Sequence, residues 1–159
     1  MLRGTATVVR PATGADVDLL VRWHADPEIA HYWDGETYSH DEVLDRLARG
    51  EVRAYIVEAG GEPVGYLQAW SDDAGGGGGL DMFLIASARG RGLGPDVART
   101  LARHLLAEAG WTRVTADPYL WNERAVRGWR KAGFRPVEER EPDAEHLHRW
   151  LLMEFDLTE

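Results

Sequence analysis

Arg89-Gly90-Arg91-Gly92-Leu93-Gly94 leaves a chain few ways to fold. The apolar residues 80–86 before it have strand character, and residues 97–109 after it place Val97, Leu101, Leu105 and Ala109 on one helical face. Three glycines in six positions let the backbone turn sharply between strand and helix, so that several N–H groups converge on one point. The helix start adds its positive dipole end there. The segment therefore predicts an anion site suited to a pyrophosphate, with Arg89 and Arg91 as further donors. It is not a P-loop, because no Gly-Lys-Ser/Thr follows. Its strand also lies mid-chain rather than opening a repeated βαβ unit, as a dinucleotide fold would require. A glycine-rich surface turn without a ligand is the alternative these six residues leave open.

The rest of the chain supplies a mixed layer around that turn. Residues 5–10 alternate and are β-branched, predicting a first strand. Thr13, with Asp16 three positions on, predicts a capped helix through Val17, Leu19, Leu20 and Trp23 that stops before Asp26-Pro27. A short helix over 27–30 follows, and Ser39 with Glu42 opens another through Val43, Leu44 and Leu47, closed by Gly50. Residues 52–58 and 63–70 predict two strands joined by a turn at 59–62, and residues 71–79, with five consecutive glycines, a flexible loop that does not pack. Beyond the helix at 97–109, ended by Gly110, come a strand at 111–116 and a helix at 122–132 ended by Gly133. A short strand at 134–137 precedes a solvated turn, Glu138-Glu139-Arg140-Glu141, and a last strand at about 146–155. Leaving aside the short helix at 27–30, the order β-α-α-β-β-β-α-β-α-β-β, without repeats or a linker, predicts an α/β (α+β mixed sheet) class and one domain over residues 1–159.

Composition narrows the partners. With 18 Lys plus Arg against 27 Asp plus Glu, the formal net charge is −9, which repels a phosphate backbone and predicts no nucleic-acid partner. The same charge attracts a cationic small molecule or peptide, although acidity that merely aids solubility is equally compatible. There are no cysteines, which excludes disulfides, thiolate metal sites and cysteine nucleophiles. No apolar run approaches the ~20 residues that span a bilayer, and the Met-Leu-Arg-Gly start has no signal-peptide core. The expectation is a cytoplasmic protein without a membrane partner. The pairs His24/His31 and His146/His148 have no metal-binding spacing, so no metal is expected, and a packed or exposed role is expected for the latter pair.

Further motifs carry a family resemblance. Arg89-x-x-Gly92-x-Gly94 between strand and helix resembles the acetyl-CoA signature of the GNAT N-acetyltransferases. Asn122-Glu123-Arg124-Ala125 and Lys131-Ala132-Gly133-Phe134 resemble that superfamily's later elements, in the right order. The resemblance implies a GNAT-like acyl-CoA N-acyltransferase fold: a mostly antiparallel central sheet, splayed at the cofactor strand and flanked by helices. It implies acetyl-CoA (coenzyme A) as cofactor, with the pyrophosphate on Arg91, Gly92, Leu93 and Gly94 and the pantetheine arm along Phe83, Leu84 and Ile85. Asn122 would contact the cofactor near its pantetheine end. The segments 62–68, 80–84 and 115–118, with Trp33-Asp34-Gly35 after Trp23-His24, are similar to aminoglycoside 6′-N-acetyltransferases. That similarity runs from about Trp23 to Phe134, and part of it is shared with siderophore and lysine acyltransferases.

Acetyl transfer to an amine needs a proton acceptor, a stabilised oxyanion and a proton for the leaving thiolate. A polycationic acceptor also needs carboxylates to hold it. Asp81, heading the cofactor strand, and Asp117, before Pro118, match acidic positions of the 6′-N enzymes and are the expected catalytic and acceptor-binding residues. A surface charge and a turn-forming Asp-Pro are their respective alternatives. By the same resemblance Trp33 walls the acceptor site, with core packing as the alternative. Asp34, Glu36, Asp72 and Asp73 fall in predicted loops near its mouth, where they can add negative potential, although each taken singly reads as a solvated surface charge. One departure stands out: Trp129 occupies the place of the tyrosine that in many GNAT enzymes protonates the thiolate, leaving water or Tyr119 for that task. The expected function is acetylation of an aminoglycoside 6′-amine by a monomer or homodimer. A siderophore, lysine or polyamine acceptor, or a non-catalytic acyl-CoA sensor, are the competing readings.

Overall fold

The strand, turn and helix expected around Arg89 form as one unit, and the rest of the sheet is built outward from it. A computed structural model of the chain describes residues 1–72 and 76–157. In chain order its elements are β1 (Leu2–Arg3), β2 (Val8–Pro11), α1 (Val17–His24), α2 (Pro27–Tyr32), α3 (His40–Ala48), β3 (Val52–Ala59), β4 (Glu62–Ser71), β5 (Gly77–Leu84), α4 (Leu93–Ala107), β6 (Arg113–Ala116), α5 (Glu123–Ala132), β7 (Phe134–Arg140) and β8 (Trp150–Phe155). The strands form one sheet in the order β1-β2-β3-β4-β5-β6-β8-β7. Every pairing is antiparallel except β5 with β6. Among the described residues, no helix is long and apolar enough to cross a membrane.

Alternation along β4 divides the core. Tyr66 faces one side, where α1, α2 and α3 bring Val17, Leu20, Ile29 and Val43 against it, and Leu67 and Ala69 face the other. On that second side the α4 stripe Val97, Leu101 and Leu105 is fully buried with Leu80, Val114 and Met153. The local signals act as read: Thr13 with Asp16, and Ser39 with Glu42, form complete capping boxes, and Gly133 ends α5 at φ 112°.

The glycine run departs from expectation. Gly77, Gly78 and Gly79 are not loop but the buried start of β5, paired with β4 through Trp70 and Ser71. A Cβ on Gly78 would collide with the Trp70 backbone carbonyl, and one on Gly79 with the Trp70 indole. Glycine stands there because the strands and a large ring close in on it, not because the chain is loose. Residues 73–75, including the Asp73 expected at the site's mouth, lie outside the described residues.

Four smaller boundaries also move. The first long strand is Val8–Pro11, because the Asp96 carboxylate accepts from Thr5 N (2.8 Å), Ala6 N (3.0 Å) and Thr7 Oγ1 (2.7 Å) and folds residues 4–7 into a turn. Helix α3 leaves through Arg49 in extended geometry, ahead of Gly50. Glu138, Glu139 and Arg140 extend β7 instead of forming a turn, paired to Leu152, Leu151 and Trp150. The last strand begins at Trp150, so His146 and His148 lie in the loop before it.

Candidate active site

Strand β6 pairs with β5 only from Gly77 to Gly79. Beyond Gly79 the two strands part, while β5 stays paired to β4 as far as Leu84. The resulting wedge is the centre of the site. Met82, Phe83 and Leu84 line a mainly apolar cleft of about 200 Å3, closed on its far side by Ala125, Gly128 and Trp129 of α5. At its end the backbone turns through Gly90 (φ 75°) and Gly92 (φ 74°), both left-handed, into α4. The first N–H groups of a helix have no carbonyl one turn back, so those of Leu93 and Gly94 are available to an anion. Ile85 follows β5 and bonds back to Val64 O at 2.9 Å.

The two arginines of the turn differ. Arg91 is exposed beside the glycines. Arg89 lines the cleft, but its Nε donates to Leu84 O (3.1 Å) and its guanidinium pairs with Glu28 of α2. It therefore ties the turn to the end of β5 and to α2. Asn122 caps α5, accepting from Ala125 N (3.2 Å), and reaches both this cleft and the next.

A second cleft, of about 560 Å3, opens on the same wedge and shares Tyr32, Met82, Asn122, Ala125 and Trp129 with the first. Its walls carry five carboxylates, Asp34, Asp72, Asp81, Asp117 and Glu145, and neither lysine nor arginine among the described residues. Trp33 lines it too while packing on His24, Tyr66 and Phe83, so its ring serves wall and core together. Glu36 is held instead by Tyr38, whose hydroxyl donates to it at 3.0 Å.

Asp81 is half-buried between the strands, where Gln68 Nε2 donates to its Oδ2 at 3.1 Å and the Tyr66 hydroxyl in turn donates to Gln68 Oε1 at 2.8 Å. Burial, and then the neighbouring Asp117 charge, push the Asp81 carboxyl up to about 7, with Gln68, Trp70 and His146 opposing. A carboxylate so placed can gain and lose a proton near neutrality. Asp117 Oδ2 meets His146 Nε2 at 2.7 Å. Both expected acids thus converge on one cleft.

Three features of this site were not expected from the sequence. His146 is one, and no local pattern marks it. The second is a row of stacked rings at the mouth, Tyr32 on Trp121 (5.8 Å) and Trp121 on Tyr119 (5.9 Å). The third concerns Tyr119: its hydroxyl donates to Asp34 Oδ1 at 2.5 Å and accepts from Leu147 N at 3.1 Å. Burial and the Asp34 hydrogen bond push this phenol up to about 12, which disfavours it as a proton donor to a thiolate. Trp129 is buried against Phe134 with ring centres 5.0 Å apart, at the junction of the two clefts.

Comparison with known proteins follows this geometry. A family model described as an acetyltransferase (GNAT) domain matches residues 12–142. An aminoglycoside N(6′)-acetyltransferase type 1 of Klebsiella pneumoniae is 30% identical over 148 residues, covering 81% of this chain and 74% of its own. The crystal structure of aminoglycoside acetyltransferase AAC(6′)-Ib in complex with coenzyme A and kanamycin superposes with a TM-score of 0.81 at 27% identity, covering 96% of each chain. A spermidine N-acetyltransferase from Vibrio cholerae shares the fold at a TM-score of 0.82 and 14% identity, over 95% of each chain.

Proposed function

The chain belongs to the GNAT acetyltransferase family, and from that premise we propose that it moves the acetyl group of acetyl-CoA to the 6′-amine of an aminoglycoside. The observation that carries this reading is the charge of the second cleft: five carboxylates on a wall without lysine or arginine among the described residues, joined directly to the apolar cleft. A polyammonium sugar fits such a site, and a neutral or anionic acceptor does not. The donor's acyl arm fits the apolar wedge along Met82, Phe83 and Leu84, and its pyrophosphate fits the turn at Arg91, Gly92, Leu93 and Gly94. Acetyl-CoA supplies an electrophilic thioester carbon.

The residues of the chain prepare the acceptor. An acceptor ammonium gives one proton to the Asp81 carboxylate, directly or through water, and becomes a nucleophile. Its nitrogen bonds to the acetyl carbon, the carbon–sulfur bond of the tetrahedral adduct breaks, and the second proton of the nitrogen passes through water to the departing thiolate, leaving a neutral amide and a thiol. Asp117 holds a second ammonium with the oxygen that His146 leaves unused, while Trp33 and Asp34 hold the sugar at the mouth. Trp129 gives the departing sulfur a hydrogen-bond donor but no proton. The reaction belongs in the cytoplasm, and the whole chain acts as one catalytic domain.

Thiol release from acetyl-CoA, with kanamycin or tobramycin as acceptor, tests the reading. The expected result is rapid release with a single acetyl added to the product, placed at the 6′ nitrogen by NMR. Confirmed acetyl-CoA binding without release on any aminoglycoside overturns it.

A further inference from the structure

His146 sits in the loop joining β7 to β8, and carboxylates hold its ring from both ends. Nε2 lies 2.7 Å from Asp117 Oδ2 and Nδ1 lies 2.8 Å from Asp143 Oδ1. A ring nitrogen facing a carboxylate oxygen at that distance carries a proton, so both do, and the ring is an imidazolium. The loop is built around it: Asp143 Oδ1 also accepts from the backbone N–H groups of Glu145 and His146, each at 2.9 Å. One face of the ring lies flat on Trp150, centres 4.0 Å apart and planes 12° apart, and the side chain is 11% exposed. An exposed, adaptable histidine has no need of two carboxylates and an aromatic shelf.

We propose that His146 is a positioning residue for acetyl transfer: its imidazolium pins one oxygen of Asp117, leaves the other for a cationic acceptor, and supplies the positive charge that lets Asp81 ionise beside Asp117. The proposal rests on the reading of Asp81 as the proton acceptor. Without that charge, the repulsion between the two carboxylates is uncompensated, and Asp81 keeps its proton to a higher pH. The groups around the ring agree in direction. Asp117 faces it from the loop after β6, with Tyr119 edge-on at 6.2 Å, and Asp143 and Glu145 lie in its own loop. Asp81 of β5 feels its charge. Tyr119 meets His148 edge-on as well, and Arg140 of β7 lies 5.4 Å from the centre of the Trp150 ring on which His146 stacks. The hydrogen bond to Asp117 is the chief cause that raises the imidazole to about 9, against the effect of burial, so the clamp stays charged through the neutral range.

Carboxyl 13C NMR of the full chain, without ligands, tests this independently of any acceptor. In His146→Gln the Asp81 titration midpoint is expected to move upward by roughly half a pH unit or more, because a positive neighbour has gone. The acid limb of kcat/KM moves by the same amount. An unmoved Asp81 midpoint in the folded variant overturns the proposal. Should His146→Gln not fold, Asp117→Asn gives the converse reading at the His146 ring. Its midpoint must fall toward the ordinary value of about 6.5, and a ring unmoved by the loss of Asp117 overturns the proposal equally. A shifted Asp81 midpoint in a protein that acetylates no aminoglycoside supports the clamp while overturning the acceptor reading, so the two fail separately.

Discussion

Arg46 Nη1 lies 3.0 Å from Nε2 of His24, and both side chains are buried among the rings of Trp33, Tyr38 and Tyr66. A guanidinium always donates, so His24 accepts, and its only proton is on Nδ1. Among the described residues no carboxylate forms an ion pair with Arg46; its charge rests on His24 and on the rings of Tyr38 and Tyr66, whose centres lie 4.4 and 5.4 Å away. This buried pair stands behind Trp33 and supports one wall of the acidic cleft.

Acid should therefore loosen that wall. Burial, and then the Arg46 charge, lower His24 to about 4 from 6.5, so in the folded chain it resists a proton that the unfolded chain accepts. Its contribution to stability is whole above pH 6.5 and is lost as the pH falls toward 4. At about 1.4 kcal/mol per unit, the loss is on the order of 3 kcal/mol. Urea midpoints at pH 7.5 and 4.5 check this. His24→Asn, which cannot titrate, should start less stable and show a flatter decline; an equal decline in both proteins would remove His24 as the cause.

Asp81→Asn should divide activity from stability. Losing the proposed proton acceptor is expected to lower kcat by roughly 100-fold or more, with acetyl-CoA binding unchanged. In the unmodified chain kcat/KM should rise with pH through about 7, where Asp81 loses its proton. Its folded pKa lies above the ordinary 3.8, so its ionisation disfavours the fold: the stability present below 3.8 is given up as the pH rises through about 7. Asparagine removes that burden, and at pH 8 the variant should be more stable by roughly 2 kcal/mol, allowing for screening by water in the cleft. Thermal unfolding at pH 8 decides it.

Gly78→Ala should be far more damaging than Gly76→Ala. The first places a Cβ on the Trp70 carbonyl, in backbone that cannot give way, and overpacking of this kind costs about 3 kcal/mol or more. The second meets only Thr112 Oγ1, at 3.3 Å, and should cost less than about 1 kcal/mol. Because Gly78 lies near the start of the strand that carries Asp81, its substitution should lower activity as well as the unfolding midpoint.

What the sequence could and could not announce follows the range of each interaction. Capping at Thr13 and Ser39, the left-handed exit at Gly133 and the turn at Gly90 and Gly92 depend on neighbours a few positions away, and all four were legible. The glycines at 77–79 were misread because their requirement comes from Trp70, which reaches them only once β4 and β5 pair. Asp81 and Asp117 were singled out by motif, but their meeting in one cleft depends on the parting of β5 and β6 beyond Gly79, which composition does not encode. The sequence assigns His146 only a packed or exposed role for the same reason: one of its carboxylates is 3 residues away and the other 29.

Trp129→Tyr addresses the proton that leaves with the product. Trp129 reaches both clefts, so a phenol in its place faces the junction at which the proposed reaction releases its sulfur. An indole N–H can only donate a hydrogen bond, whereas a phenol can transfer its proton, and Tyr119, whose proton is committed to Asp34, does not compete for the task. The expected outcome is a higher kcat with little change in KM for acetyl-CoA. Stability should fall by about 1–2 kcal/mol, because the smaller ring leaves space against Phe134. Steady-state kinetics with a solvent isotope effect checks the first part and thermal unfolding the second. A folded variant with unchanged kcat and an unchanged isotope effect would mean that water already protonates the thiolate fast enough, and that the tryptophan is there for packing.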